Sequence, residues 1–134
     1  MAGLILEAPH VYVEELTASS IAEVSKGFAA SDMGERMRRY HSDPVRMFGR
    51  WSDIWLEPAF LDWNIEALLP DVRVPALLIQ GEDDQYGTLD QLDRIAAVLP
   101  DTVSLQLANC RHSPHFDRED AVVEAICDFL EEKI

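Results

Sequence analysis

Two short apolar runs, Gly3-Leu-Ile-Leu-Glu-Ala8 and Ala76-Leu-Leu-Ile-Gln80, constrain this chain more than any other feature. Both are continuous rather than alternating, the pattern of strands covered on both faces, as in a parallel sheet between helical layers. Pro9 and Pro75 flank them where a proline removes no ladder hydrogen bond. A third run, Val103-Ser-Leu-Gln-Leu-Ala108, alternates, which suits a half-exposed strand nearer an edge.

Helical signals occupy the intervals. Thr88 with Gln91 and Ser20 with Glu23 have the spacing of capping boxes. Leu89, Leu92, Ile95, Ala96 and Leu99 recur at helical period and stop at Pro100. A last helix is expected over about 120–132, with Val122, Val123, Ile126, Phe129 and Leu130 on one face. Asp43-Pro44 is an N-cap and first-turn pair for a helix bearing Val45, Phe48, Trp51 and Trp55. The order is therefore strand, long helical insertion, strand, helix, strand, helix, which implies a parallel sheet with right-handed crossovers. Three segments follow: 1–12, a core strand and the start of the insertion; 13–73, a helical layer; and 74–134, the rest of the α/β core.

Composition narrows the partners. The chain has 134 residues, 48% of them hydrophobic, and a formal charge of −14. That apolar content is too high for a disordered acidic chain, and that charge repels a phosphate backbone, so nucleic acid is excluded as a lasting partner. No apolar run approaches the roughly 18 residues that span a bilayer, so no membrane is expected. Cys110 and Cys127 read as reduced thiols, and a cytoplasmic protein is expected. The charge is uneven. Lys26, Arg36, Arg38, Arg39, Arg46 and Arg50 make the middle locally basic, and 18 of the 25 acids lie from Trp51 onward.

Ligands of open parallel sheets bind outside the carboxyl ends of the strands. Two loops leave such ends here: Gly81-Glu-Asp-Asp84-Gln-Tyr-Gly87, and Asn109-Cys-Arg-His112-Ser-Pro-His115-Phe-Asp117. One crossover separates them, so both project from the same end, and a carboxylate of the first can reach an imidazole of the second. That is the acid–base half of a charge-relay system.

The order strand, G-x-x-D, helix, strand, x-x-H-x-x-H-x-[DE], helix resembles the C-terminal part of the α/β-hydrolase fold, in which acid and histidine follow a Ser nucleophile. The resemblance covers nearly the whole chain. It implies a partial fold of about three parallel strands with flanking helices, and a helical cap insertion at about 14–70. It makes Asp84, rather than Glu82 or Asp83, the acid and His112 the base, and leaves His115 a supporting or structural role. The implied activity is hydrolysis of an ester, a thioester or a similar small organic molecule.

The family's other parts are not found in the sequence. No G-x-S-x-G occurs, and none of the eight serines sits in a strand-to-helix elbow. An early HG-type oxyanion loop is not found either. The expectation is a C-terminal portion that supplies acid and base, needs a nucleophile from an N-terminal half, and is inactive alone. The competing expectation is a non-catalytic scaffold that self-associates through an apolar sheet edge.

Remaining candidates carry a structural and a functional reading. Phe48, Trp51 and Trp55, with Phe60 and Trp63 beyond, read first as packing. Functionally, Trp51, Trp55 and Trp63 would wall an apolar substrate pocket, with His115 as a further candidate for touching substrate. Arg36, Arg38 and Arg39 read as a solvated face. His112, His115 and Asp117 offer metal donors, but a proline-containing loop lacks the helical spacing of a H-x-x-x-H site, so neither metal nor cofactor is expected.

Overall fold

The computed structural model describes residues 2–134. The chain divides into two compact units, one built from residues up to Tyr12 together with Asn64–Ile134, the other from Val13–Trp63.

In the first unit, β1 (Leu4–Glu7), β2 (Ala76–Gly81) and β3 (Thr102–Leu107) form a three-stranded parallel sheet in the order β1-β2-β3. Every residue of β2 is buried, which is why its run is continuous. Alternate residues of β2 enter different cores. Ala76 and Leu78 join Leu92, Ile95 and Leu99, which lie on or just beyond α4 (Asp90–Ala96), and also Val11 and Leu69. Leu77 and Ile79 face Val122 and Phe129 of α6 (Glu119–Lys133), with Leu107 and Cys110. Full burial of Leu77, Leu78 and Ile79 contributes about 1.5–3 kcal/mol each. The edge strands β1 and β3 are only partly covered, with Ile5 and Val103 exposed.

Where residues 12 and 64 meet, Tyr12 and Asn64 form an isolated antiparallel bridge, and Ile65 N–H donates to the Val11 carbonyl at 2.8 Å. A wholly buried glutamine holds this neck to α4. The Gln91 side chain accepts from Val11 N–H (2.8 Å) and donates to the Tyr12 carbonyl (3.2 Å). Tyr12 Oη donates to Asp90 (2.6 Å), while Arg94 lies over the Tyr12 ring and pairs with Asp90 and Glu66.

The second unit contains α1 (Glu15–Phe28), α2 (Met33–Met37), α3 (Pro44–Leu56) and a 3-10 turn at Pro58–Phe60. The α3 start is as the sequence indicates: Pro44 occupies the first turn and the Asp43 carboxylate accepts from Arg46 N–H at 3.1 Å. Phe48 is buried and stacks on Phe28, their ring centroids 4.0 Å apart. Trp55, Phe60 and Trp63 form a second ring cluster.

Two local expectations fail for identifiable reasons. Ser20 lies inside α1, which already begins at Glu15, so the Ser20–Glu23 pair is not a helix start. Local spacing alone does not reveal how far upstream a helix began. On α6, Val122 and Phe129 are buried, but Val123 and Leu130 are exposed, because one helix face cannot hold residues a full 100° apart equally deep. Among the described residues, no helix is long and apolar enough to cross a membrane.

Candidate active site

Asp84 and His112 come together at the carboxyl end of the sheet, and a glycine makes the meeting tight. Gly81 ends β2, and a Cβ there would collide with the carbonyl oxygens of Cys110 and Arg111. Only the missing side chain lets the two loops pack backbone to backbone. Glu82 N–H then donates to the Leu107 carbonyl (2.9 Å) and Asp83 N–H to that of Cys110 (3.0 Å), locking one loop against the other. Asn109 takes a left-handed backbone (φ 52°) as the chain leaves β3, a conformation asparagine tolerates better than most residues.

On this platform the Asp84 side chain has no solvent exposure, while His112 keeps 35% of its side chain accessible. His112 Nδ1 lies 3.0 Å from Asp84 Oδ1 and 2.9 Å from Oδ2. A carboxylate only accepts, so Nδ1 carries the proton and Nε2 is left as the basic nitrogen. Two further donors hold the carboxylate: Tyr86 N–H reaches Oδ1 at 2.8 Å in a tight Asx turn, and Gln80 Nε2 reaches Oδ2 at 2.6 Å. The Tyr86 ring meets the His112 ring edge-on at 4.9 Å between centroids. His10, which follows β1, has its ring 6.2 Å from that of His112, and Gly87 leaves room for it, since a Cβ there would lie 2.9 Å from His10 Cε1.

Ala8, the residue after β1, has φ 46° while its N–H donates to the Ile79 carbonyl at 2.8 Å. A non-glycine residue held there costs about 1–2 kcal/mol. A shallow hollow of about 290 Å³ opens beside His112, lined by Gln85, Arg111, Ser113, Phe116 and Asp117. The Asp117 carboxyl is held below its usual range, first by the Arg111 backbone N–H (2.9 Å) and then by the guanidinium. This pair braces the loop bearing His112.

The other candidates lie elsewhere. His115 pairs with Glu7 of β1, its ring Nδ1 and its backbone N–H both on Glu7 Oε1 (2.7 and 2.8 Å). Trp51, Trp55 and Trp63 belong to the helical unit, where Trp51 meets Phe48, and Trp55 packs on Phe60 and Trp63. Arg36 and Arg38 form exposed pairs with Asp32 and Glu35. Glu82 and Asp83 are exposed in the turn that leads from β2 to Asp84. Among the described residues, no group of three or more His, Cys, Asp or Glu is placed to hold a metal ion. The sequence reading missed Gln80 and Tyr86; the available signal for the first was a polar residue ending an otherwise apolar buried run.

No family model matches the chain. A 2-hydroxy-6-oxo-6-phenylhexa-2,4-dienoate hydrolase of Delftia acidovorans is 26% identical over 95 residues, 61% of this chain and 33% of the relative. Among solved structures, an esterase from Rhodococcus sp. ECU1013 superposes with a TM-score of 0.64 at 15% identity, over 99% of this chain and 57% of that one. An enol-lactonase from Burkholderia xenovorans LB400 gives 0.62 at 18% identity, over 98% and 57%. These relatives and neighbours are of the α/β-hydrolase type.

The chain carries part of the α/β-hydrolase fold. It spans about a third of the length of the curated relatives it matches, and just over half of the solved chains. The part of that fold present here is three parallel strands with flanking helices.

Proposed function

We propose that Asp84 and His112 are the acid and base of a Ser–Asp–His-type hydrolytic triad whose nucleophile lies outside these 134 residues. The observation that carries this reading is the bond from His112 Nδ1 to a fully buried, triply held carboxylate, which leaves Nε2 basic. In the reaction, the nucleophile attacks a carbonyl carbon while His112 Nε2 takes its proton. The same nitrogen returns the proton to the leaving group. It then takes a proton from the water that releases the acyl group and hands it back to the nucleophile, and Asp84 keeps the ring oriented throughout. The substrate is an ester, a thioester or a similar small organic molecule. The helical unit is assigned to the cap of such enzymes, with Trp51, Trp55 and Trp63 as the apolar groups offered to substrate.

A test pairs this chain with an N-terminal segment carrying G-x-S-x-G from one of the hydrolases it resembles, and follows p-nitrophenyl ester hydrolysis. Turnover should need both halves and disappear with His112→Ala. Turnover by the chain alone that vanishes in His112→Ala would place a nucleophile within these residues and contradict the reading.

A second reading is favoured by β1, which pairs on one side only among the described residues and exposes Ile5. An uncovered parallel edge recruits another strand, so the chain would act as a self-associating or docking module. Sedimentation should then show dimers or larger species at low micromolar concentration; a clean monomer contradicts this second reading.

A further inference from the structure

Buried polar side chains are rare and need hydrogen-bond partners. The NH2 group of Gln80 is engaged twice while its Oε1 finds no partner among the described residues, so it sits in the sheet core at a cost that needs a reason. Gln80 is the last side chain of β2 before Gly81, is entirely buried, and follows four apolar residues in the most covered strand of the molecule. Its carboxamide orientation is not arbitrary. Nε2 lies 2.6 Å from Asp84 Oδ2 and 3.0 Å from the Gly87 carbonyl, both pure acceptors, so only the NH2 group can stand there.

The two donated bonds span the loop. One holds the carboxylate and the other holds the far end of the turn, three residues beyond, where Gly87 packs against His10. Tyr86 N–H takes the other oxygen, so Asp84 is held at both of its oxygens. A carboxylate bound by His112 alone would be free to rotate about its side-chain torsions. Bound by Gln80 and Tyr86 as well, it presents a fixed edge to Nδ1.

We infer that Gln80 is a positioning residue for the acid–base pair, fixing Asp84 through one amide proton and the Gly81–Gly87 turn through the other. This rests on reading Asp84 and His112 as acid and base, and concerns neither the substrate nor the missing nucleophile. It also accounts for a glutamine at a place where the sheet core would otherwise take another apolar side chain.

The experiment is 15N NMR of the chain at a pH where His112 is neutral, comparing wild type with Gln80→Leu, Gln80→Met, Gln91→Leu and Asp84→Asn. Gln80→Leu and Gln80→Met should raise the Nε2–H fraction of His112 above wild type, because a carboxylate no longer held by Gln80 presents a less fixed edge to Nδ1. Gln91→Leu removes the other buried glutamine of this unit, at the neck, and should leave the His112 tautomer unchanged. A wild-type tautomer in both Gln80 variants, or an equal change in Gln91→Leu, overturns the inference. If Asp84→Asn leaves His112 unchanged, the acid–base reading itself falls, which separates the two failures. Should neither Gln80 variant fold, hydrogen exchange in the wild type decides. The Gln80 carboxamide protons should exchange far more slowly than those of exposed Gln85, and equal rates would refute the double bond.

Discussion

His112 and His115 are three residues apart, and each places Nδ1 on a carboxylate at a distance below 3 Å. Their surroundings differ in almost every other respect. The partner of His112 is fully buried, carries two other donors, and sits on a turn locked against the histidine's own loop. The partner of His115 is a glutamate whose side chain is 30% exposed, and the imidazole itself is 49% exposed. A hydrogen bond in a water-excluded place is strengthened and directed, while the same bond in water is screened and readily exchanged. Distance alone therefore does not mark the acid–base pair. Burial of the carboxylate, held by three donors, is what supports reading Asp84 and His112 as the proposed pair.

Several substitutions should break or sharpen this contrast. Gly81→Ala drives a methyl group into the Cys110–Arg111 backbone and should have the largest effect, destabilising the chain by about 3 kcal/mol or more. Thermal unfolding measures it, and in the folded fraction the His112–Asp84 contact should loosen while His115–Glu7 persists. Asp84→Asn keeps the shape but replaces one acceptor oxygen by a donor. It should cost about 1–3 kcal/mol in denaturant titration and lower turnover of a complemented enzyme on the order of 10⁴-fold.

Glu7→Gln, the equivalent change in the exposed pair, should shift stability by less than about 1 kcal/mol and leave His112 untouched. The cysteines offer the mildest test. Burial pushes the Cys110 thiol above its ordinary range, whereas Cys127 is exposed on α6. The folded state thus holds the Cys110 proton more tightly than the unfolded chain. The resulting stability is complete below the ordinary thiol range and is lost as pH rises from that range through the raised value of the folded state. Mass spectrometry after thiol alkylation should find Cys127 modified first, with Cys110 following only on unfolding.

Much of this arrangement is legible in the sequence, and the boundary falls where tertiary contact takes over. Continuous runs located β1 and β2, alternation located β3, and strand-end logic brought Asp84 and His112 to one place. Burial was less legible. Val123 and Leu130 fit the period of α6 yet face outward, since period defines a helix face but not its width. Gln91 matched a capping pattern, yet its buried side chain holds the backbone at Val11 and Tyr12, some 80 positions earlier, which no local pattern encodes. Glu7–His115 is a contact of the same kind, across 108 positions. The role of Gln80 depended on knowing which strand lies at the centre of the sheet, information that exists only after folding.

The central claim is that Asp84 fixes the His112 ring with Nε2 basic. The 15N resonances of His112 and His115 in the neutral state test it most directly. His112 should be almost entirely Nδ1–H in the wild type and lose that preference in Asp84→Asn, with His115 unchanged between the two. A His112 that is Nε2–H in the wild type, or a tautomer indifferent to Asp84→Asn, would contradict it.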